Sequence, residues 1–328
     1  MLAVKKAIIT TKIISVSAVT TKDHNSPVST MGRPFQLPYF RDSKELPAPL
    51  PSVDEIHASP NILKGSEAWA DRKVVRVGEH FIAKYSPYND QIEGENLLFI
   101  EENLEIPAPR LYAMWKEPDG KLYLVMEYLQ GDTLQFLWPN LQESDKDLIL
   151  SKLRAIFNQV RTLQSSGFYG SINKSHMPHH IFYSPVYDPK ISGPFENESD
   201  LVLGLISKSR LNAKDRRRHS YLADFFENQL LLDLVEDGRT STFSHSDLQM
   251  KNILVREISS QEFSHEKDYD VSIVDWESAG WYPSYWEYVA AFFAFTWDSD
   301  WSNRVADIVD AWPAEAAMMK MIYQDLWL

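Results

Sequence analysis

Between residues 74 and 126 the apolar residues of this chain come in short runs at strand spacing, whereas from residue 144 onward they recur at helical spacing. That change of period divides the chain into a smaller β-rich part and a larger α-rich part, and predicts a two-lobed α+β architecture. Val74-Val75-Arg76-Val77 and Phe81-Ile82-Ala83-Lys84-Tyr85 flank the short turn Gly78-Glu79-His80, which reads as an antiparallel hairpin. A helix is expected from Asp90 to Glu102, stopped ahead of Pro107 and Pro109. Leu122 to Met126 reads as a buried strand, and Gly131 ends the connector that follows it near 127–131. Residues 144–165, 199–211 and 220–236 carry helical patterns, and helix returns from 284 to the end. Two strands interrupt this half, Ile253-Leu254-Val255 and Val271-Ser272-Ile273-Val274.

With 328 residues the chain is long enough for two compact lobes. The expected division is a tail over 1–36, a first lobe with an extended proline-rich lead-in over 37–129, and a helical second lobe over 130–328. The tail carries Lys5, Lys6, Lys12 and Lys22, and residues 1–22 hold no acid. It is open to three readings: a mitochondrial transit peptide, a disordered tail, or an extension upstream of a start at Met31. The absence of cysteine excludes disulfides, thiolate metal sites and a cysteine nucleophile, and fits a reducing, cytoplasmic setting. The apolar run Val289 to Phe295 is far too short to span a membrane. A net charge of −13 repels phosphate backbones and speaks against a nucleic-acid partner.

The chemistry centres on His245-Ser246-Asp247-Leu248-Gln249-Met250-Lys251-Asn252. His-x-Asp-x-x-x-x-Asn alone arises by chance in on the order of a few per cent of chains this long. Its setting sharpens it. Asn252 opens the first of the two late strands and Asp275 closes the second, so an antiparallel pairing brings both to one edge. An amide oxygen and a carboxylate there suit Mg²⁺, and Asp247 is placed to orient a substrate hydroxyl and accept its proton. His245 reads as a loop-holding residue. In the first lobe Lys84 sits within an apolar strand, where an ammonium needs a partner. Glu93 on the following helix can brace it towards ATP phosphates, with Glu95 as the competing partner and an Asp90-x-x-Glu93 capping box as the competing role. Lys64-Gly65-Ser66 is the only candidate phosphate loop.

These features, together with Val125-Met126-Glu127-Tyr128 before Gly131, Asp275-Trp276-Glu277 and Gly280-Trp281-Tyr282-Pro283-Ser284-Tyr285-Trp286-Glu287, resemble the aminoglycoside phosphotransferase/choline kinase-like family, in its fungal branch. The resemblance covers roughly residues 40–300. It implies a bilobal protein-kinase-like fold with ATP between a small antiparallel β-rich lobe and an α-rich lobe. It implies Asp247 as catalytic aspartate, Asn252 and Asp275 as magnesium ligands, Lys84 on the α/β-phosphates braced by Glu93, and the backbone at Glu127 and Leu129 on adenine. Ser246 stands where the family commonly has glycine, which matters if that backbone needs positive φ. No Asp-Phe-Gly or Ala-Pro-Glu is present, so the expected acceptor is a small molecule, in a pocket shaped by the helices at 144–165 and 199–236. The expected activity is ATP- and Mg²⁺-dependent phosphorylation of a hydroxyl, and the rival is a pseudokinase that binds nucleotide without turnover.

Three features read as structural. His176, His179 and His180 lack a fourth ligand at zinc spacing. Trp281, Tyr282, Tyr285, Trp286, Trp297 and Trp301 read mostly as packed core, and Arg216-Arg217-Arg218 as a solvated helix face.

Overall fold

In a computed structural model, the structure describes residues 35–64, 71–165, 167–230, 241–259, 267–293 and 299–327. All but the last two residues of the expected tail lie outside these, as do Gly65, Ser66 and Trp297.

The first lobe is a six-stranded antiparallel sheet in the order β1-β5-β6-β4-β3-β2. Its strands are β1 (Tyr39–Phe40), β2 (Asn61–Lys64), β3 (Lys73–Val77), β4 (Phe81–Ser86), β5 (Leu111–Lys116) and β6 (Leu122–Glu127). The hairpin expected around Gly78 is β3 with β4, paired Val75 to Ala83, and β6 adds to the other side of β4 with Ala83 opposite Val125. The proline-rich lead-in contributes β1 to the sheet edge and then α1 (Val53–Ala58), which starts in a full capping box between Ser52 and Glu55. Ile56 of α1 covers a small core with Val75, Phe81, Ala83, Tyr112 and Val125.

Helix α2 (Ile92–Asn103) packs against the opposite face of the sheet. It begins two residues later than expected, and the Asp90-x-x-Glu93 capping box does not form: the Asp90 carboxylate accepts from Ile92 N–H, while Glu93 turns inward. Gly94 leaves room for the Met114 side chain of β5, whose Cε would lie 2.6 Å from a Cβ there.

The second lobe is helical around two small sheets. β7 (Asp132–Thr133) joins the connector to β9 (Ile253–Ser259), which pairs with β10 (Lys267–Ile273). Gly131 adopts φ 138° where a Cβ would lie 2.8 Å from Val255 O, so the connector can close on β9 only without a side chain. β8 (Thr242–Ser244) pairs with β11 (Gly280–Tyr282). Around them lie α3 (Leu134–Leu137), α4 (Glu143–Val160), α5 (Pro189–Ser192) and α6 (Glu198–Asp215). Further helices span Tyr221–Phe225, Trp286–Ala290, Trp301–Arg304 and Pro313–Trp327. One apolar core runs from Leu97 and Met114 through Leu153, Phe243 and Ile253 to Trp276 and Trp286, so α2 binds the sheet to the helical lobe. Each such side chain contributes roughly 1.5–3 kcal/mol on burial. The aromatic residues 281, 282, 285, 286 and 301 are in that core. Arg216, Arg217 and Arg218 are exposed but do not form a helix face: α6 ends at Asp215 and Arg217 takes φ 55°. Among the described residues no helix is long and apolar enough to cross a membrane.

Candidate active site

Strand alternation puts Phe81, Ala83 and Tyr85 into the outer core of the sheet, and Lys84 on the face towards α2. Its Nζ lies 2.7 Å from Glu93 Oε2, 2.7 Å from Asp275 Oδ1 and 2.7 Å from Glu277 Oε2. Burial alone would lower the ammonium pKa, but Glu93, Asp275 and Glu277 outweigh it and raise it. Burial would raise Asp275 as well, yet Lys84 draws its carboxyl down to about 2. Glu93, wholly enclosed, is pushed up to about 7 by burial against the charge of Lys84. One ammonium shared among three carboxylates leaves the most buried of them undercompensated. Glu95 does not compete for the lysine; it accepts from Asn173 Nδ2 at 2.8 Å.

The late hairpin pairs as expected. Ile253 faces Ile273, and Val274 N–H donates to Asn252 O at 2.9 Å. The backbones of Asn252 and Asp275 therefore meet at one edge, and their side chains take different partners. Asp275 takes the left-handed conformation, φ 66° and ψ 57°, and points to Lys84. The Asn252 amide donates to Asp247 O at 3.0 Å and to Asp247 Oδ2 at 2.8 Å. The other oxygen of Asp247 accepts from Gln249 Nε2, and Lys251 Nζ stands 3.5 Å from Oδ2.

The loop that carries Asp247 is held from below. Asp247 N–H donates to His245 Nδ1 at 3.2 Å, so Nε2 carries the imidazole proton and donates to Val274 O at 3.0 Å. His245 thus ties the loop to the end of β10. The carboxylate of Glu287, fully buried, accepts from His245 N–H at 2.6 Å and from Ser246 N–H at 3.3 Å. Burial raises its pKa, while the charge of Arg161 and the N–H bonds of His245 and Ser246 act the other way. Ser246 has φ 69°, the conformation that favours glycine, and its Oγ accepts from Trp286 Nε1 at 2.7 Å.

At the connector, Glu127 N–H donates to Arg110 O at 2.9 Å and Tyr128 N–H to His80 O at 2.8 Å. Leu129 N–H has no hydrogen-bond partner among the described residues. Of the candidate phosphate loop, only Lys64 is described; it closes β2, and its charge helps lower Asp275.

Sequence reasoning assigned no role to Glu277, Arg72, Gln249 or Glu287. Arg72 Nη1 lies 2.8 Å and 2.9 Å from the two Glu277 oxygens and so bridges the lobes. The clue to Glu287 was its place in the aromatic motif after Asp275. Beside Glu277 opens a cavity of about 470 Å³ whose lining includes Arg72, Tyr88, His180, Tyr183 and Tyr187. His179 in the cavity wall packs its ring 5.7 Å from that of Trp286, whose Nε1 donates to Ser246 Oγ, so the wall leans on the Asp247 loop, and burial lowers the pKa of His180. The cavity wall is built mainly by the 176–192 segment. His179 in that segment uses Nδ1 to accept from Ile181 N–H.

No family model and no curated protein matches this sequence. Solved structures match along most of the chain. An apo thermostable mutant of aminoglycoside phosphotransferase APH(4)-Ia is 15% identical, with a TM-score of 0.52 over 84% of this chain and 86% of that one. ADP-bound aminoglycoside phosphotransferase APH(2'')-Ib is 13% identical, with a TM-score of 0.53 over 81% of this chain and 85% of that one. A ternary complex of an APH(4)-Ia mutant with ADP and hygromycin B is 15% identical, with a TM-score of 0.52 over 84% and 90%. The chain has the two-lobed, kinase-like α+β fold of the aminoglycoside phosphotransferases.

Proposed function

We propose that this chain is an ATP- and magnesium-dependent phosphotransferase that phosphorylates a hydroxyl of a small molecule. The observation that carries the reading is Lys84, whose Nζ is 2.7 Å from Glu93 on α2 and 2.7 Å from Asp275 at the end of β10. A single buried cation anchored to both lobes is the arrangement needed to hold polyphosphate in the cleft between them. Neighbours of the same fold hold ADP, one of them together with hygromycin B.

In this reading Lys84 contacts the α/β-phosphates and Glu93 keeps it in place. The carbonyl of Glu127 and the N–H of Leu129 hydrogen-bond adenine. Asn252 and Asp275 hold Mg²⁺, with Glu277 close by. The donor set fits a hard cation: carboxylate oxygens of Glu93, Asp275 and Glu277 all lie within 4.8 Å of one another. Among the described residues these three carboxylates form salt bridges to Lys84 and Arg72 alone, which leaves surplus negative charge. When bound, the cation supplies charge neutralisation at the phosphates. Asp247, its carboxylate steadied by Gln249 and Asn252, orients the acceptor hydroxyl and takes its proton.

The rival, a nucleotide-binding protein without turnover, draws on Ser246. Its hydroxyl is seated on Trp286 and its N–H on Glu287, so the serine is built into an ordered loop. That favours the enzyme.

Thermal-shift titration of the full chain with ATP, with and without Mg²⁺, tests the nucleotide site. A shift that needs Mg²⁺ is expected, and no shift under either condition would sink both readings. ATP consumption against a broad panel of hydroxylated acceptors then separates them. Metal-dependent binding with no transfer to any acceptor would leave the rival standing.

A further inference from the structure

The cavity beside Glu277 holds chemistry that narrows the acceptor. Its rim carries Tyr88, Tyr183 and Tyr187, which are 74%, 65% and 61% exposed. Tyrosines this open are uncommon unless something covers them, because each leaves a large apolar ring in water. Among the described residues only one other large exposed tyrosine occurs, Tyr221, and it lies elsewhere. Three exposed rings line one cavity, and the Lys208 ammonium 5.8 Å from the Tyr183 ring centroid is itself engaged, donating to Tyr183 O.

The charged groups in the same wall are already engaged. Glu93 and Glu277 bind Lys84, Arg72 is bidentate on Glu277, and Asp90 accepts from Ile92 N–H and stands 3.5 Å from His176. His179 and His180, both with pKa values lowered by burial, add no positive charge at neutral pH. The wall therefore offers no free cation for an anionic acceptor, and its acids Glu93 and Glu277 are committed to Lys84 and to the metal rather than to a polycation. What it does offer without a partner is the side-chain amide of Asn89, whose Nδ2 and Oδ1 are buried and unbonded among the described residues. A volume of about 470 Å³ suits a molecule of two or three rings.

We infer that the acceptor is a flat, uncharged ring compound bearing a hydroxyl, stacked on Tyr183, Tyr187 and Tyr88 with its hydroxyl turned towards Asp247. This rests on the phosphotransferase reading of the same site. The step is transfer of the γ-phosphoryl group of ATP: the acceptor oxygen gains the bond to phosphorus, the bond from phosphorus to the β-phosphate oxygen breaks, ADP leaves, and the hydroxyl proton passes to Asp247.

The test uses the full chain, with Mg·ATP binding measured first by thermal shift so that failure of the nucleotide site is seen separately. Four probes are then compared by phosphate transfer and by calorimetric titration into the protein loaded with Mg²⁺ and a non-hydrolysable ATP analogue: naphthalenemethanol, its ring carboxylate derivative, sorbitol and hygromycin B. Naphthalenemethanol is expected to bind at least about tenfold more tightly than the other three. In Tyr183→Ala and Tyr187→Ala its KM or Kd should rise about tenfold, with KM for ATP unmoved. A protein that binds Mg·ATP but prefers sorbitol, the carboxylate or hygromycin B overturns the inference. So does one that ignores naphthalenemethanol, or whose tyrosine variants bind it as wild type does. The ATP reading survives each of these results.

Discussion

Lys84 Nζ and Asp275 Oδ1 lie 2.7 Å apart across 191 residues of sequence, joining a strand of the sheet to the loop that leaves the β9–β10 hairpin. Because Glu93 and Glu277 share the same ammonium, the contact is the centre of a cluster in which one cation keeps three acids together.

Lys84→Met removes that cation at nearly constant volume. Glu277 then keeps its salt bridge to Arg72, while Glu93 and Asp275 lose the only one they have among the described residues. Removing one partner of a buried ion cluster costs on the order of 3–5 kcal/mol. The variant is expected to unfold at clearly lower urea and to lose the Mg·ATP thermal shift. Adding Glu93→Gln takes one acid out of the cluster and should recover part of the stability but none of the nucleotide binding. A Lys84→Met protein of wild-type stability that still consumes ATP would remove the lysine from its role.

Asp247→Asn keeps the shape of the loop and removes the base. Asn252 retains its bond to the main-chain oxygen of residue 247, so the loop should stay in place. Phosphate transfer is expected to fall by about 10²–10⁴-fold, the range for loss of a general base, with ATP affinity little changed. Turnover near wild type would show that another group accepts the proton.

Ser246 sets two terms against each other. Its positive φ costs roughly 1–2 kcal/mol relative to glycine. Its hydroxyl satisfies Trp286 Nε1, and leaving that buried N–H unpaired costs about 1–3 kcal/mol. Ser246→Gly relieves the first and incurs the second, so it should stay within about 1 kcal/mol of wild type. Ser246→Ala incurs the second with no relief and should be the less stable of the two. Urea midpoints of the pair decide the matter: an alanine variant at or above the glycine variant would mean that residue 246 relaxes out of the left-handed region.

What could be read from sequence follows from how local each signal is. β-branched runs at 253–255 and 271–274 announce a hairpin, and a hairpin obliges Asn252 and Asp275 to meet. A lysine within an apolar strand announces its own need for an acid, and helix α2 nine residues on supplies Glu93. Strand β5 was missed because it follows two prolines closely and a register shift between Leu111 and Ala113 puts Tyr112 and Met114 on opposite faces, which removes the alternation. Glu277 and Arg72 were missed for another reason. Their pairing spans 205 residues, and neither lies on an element with a readable period. Glu287 reaches the Asp247 loop from a helix 41 and 42 residues further on, a relation that no local pattern announces.

Glu95 makes a pH-dependent contribution that can be isolated. Burial first, and the charge of Asp90 second, push its carboxyl up to about 7, against roughly 4.3 in an unfolded chain. Between those values the folded protein binds the proton more readily than the unfolded chain does. Stability therefore falls as pH rises from about 4 to about 7 and is level above that. Glu95→Gln keeps an oxygen for Asn173 Nδ2 and abolishes the titration. The variant and wild type should melt together at pH ~4, and the variant should melt a few degrees higher at pH ~8. Glu93, also up at about 7, is present in both proteins and cancels in the difference. Coincident melting at both pH values would mean that the Glu95 carboxylate is fully solvated in solution, and a variant less stable at pH ~8 would mean that its charge is compensated by a group other than Asn173.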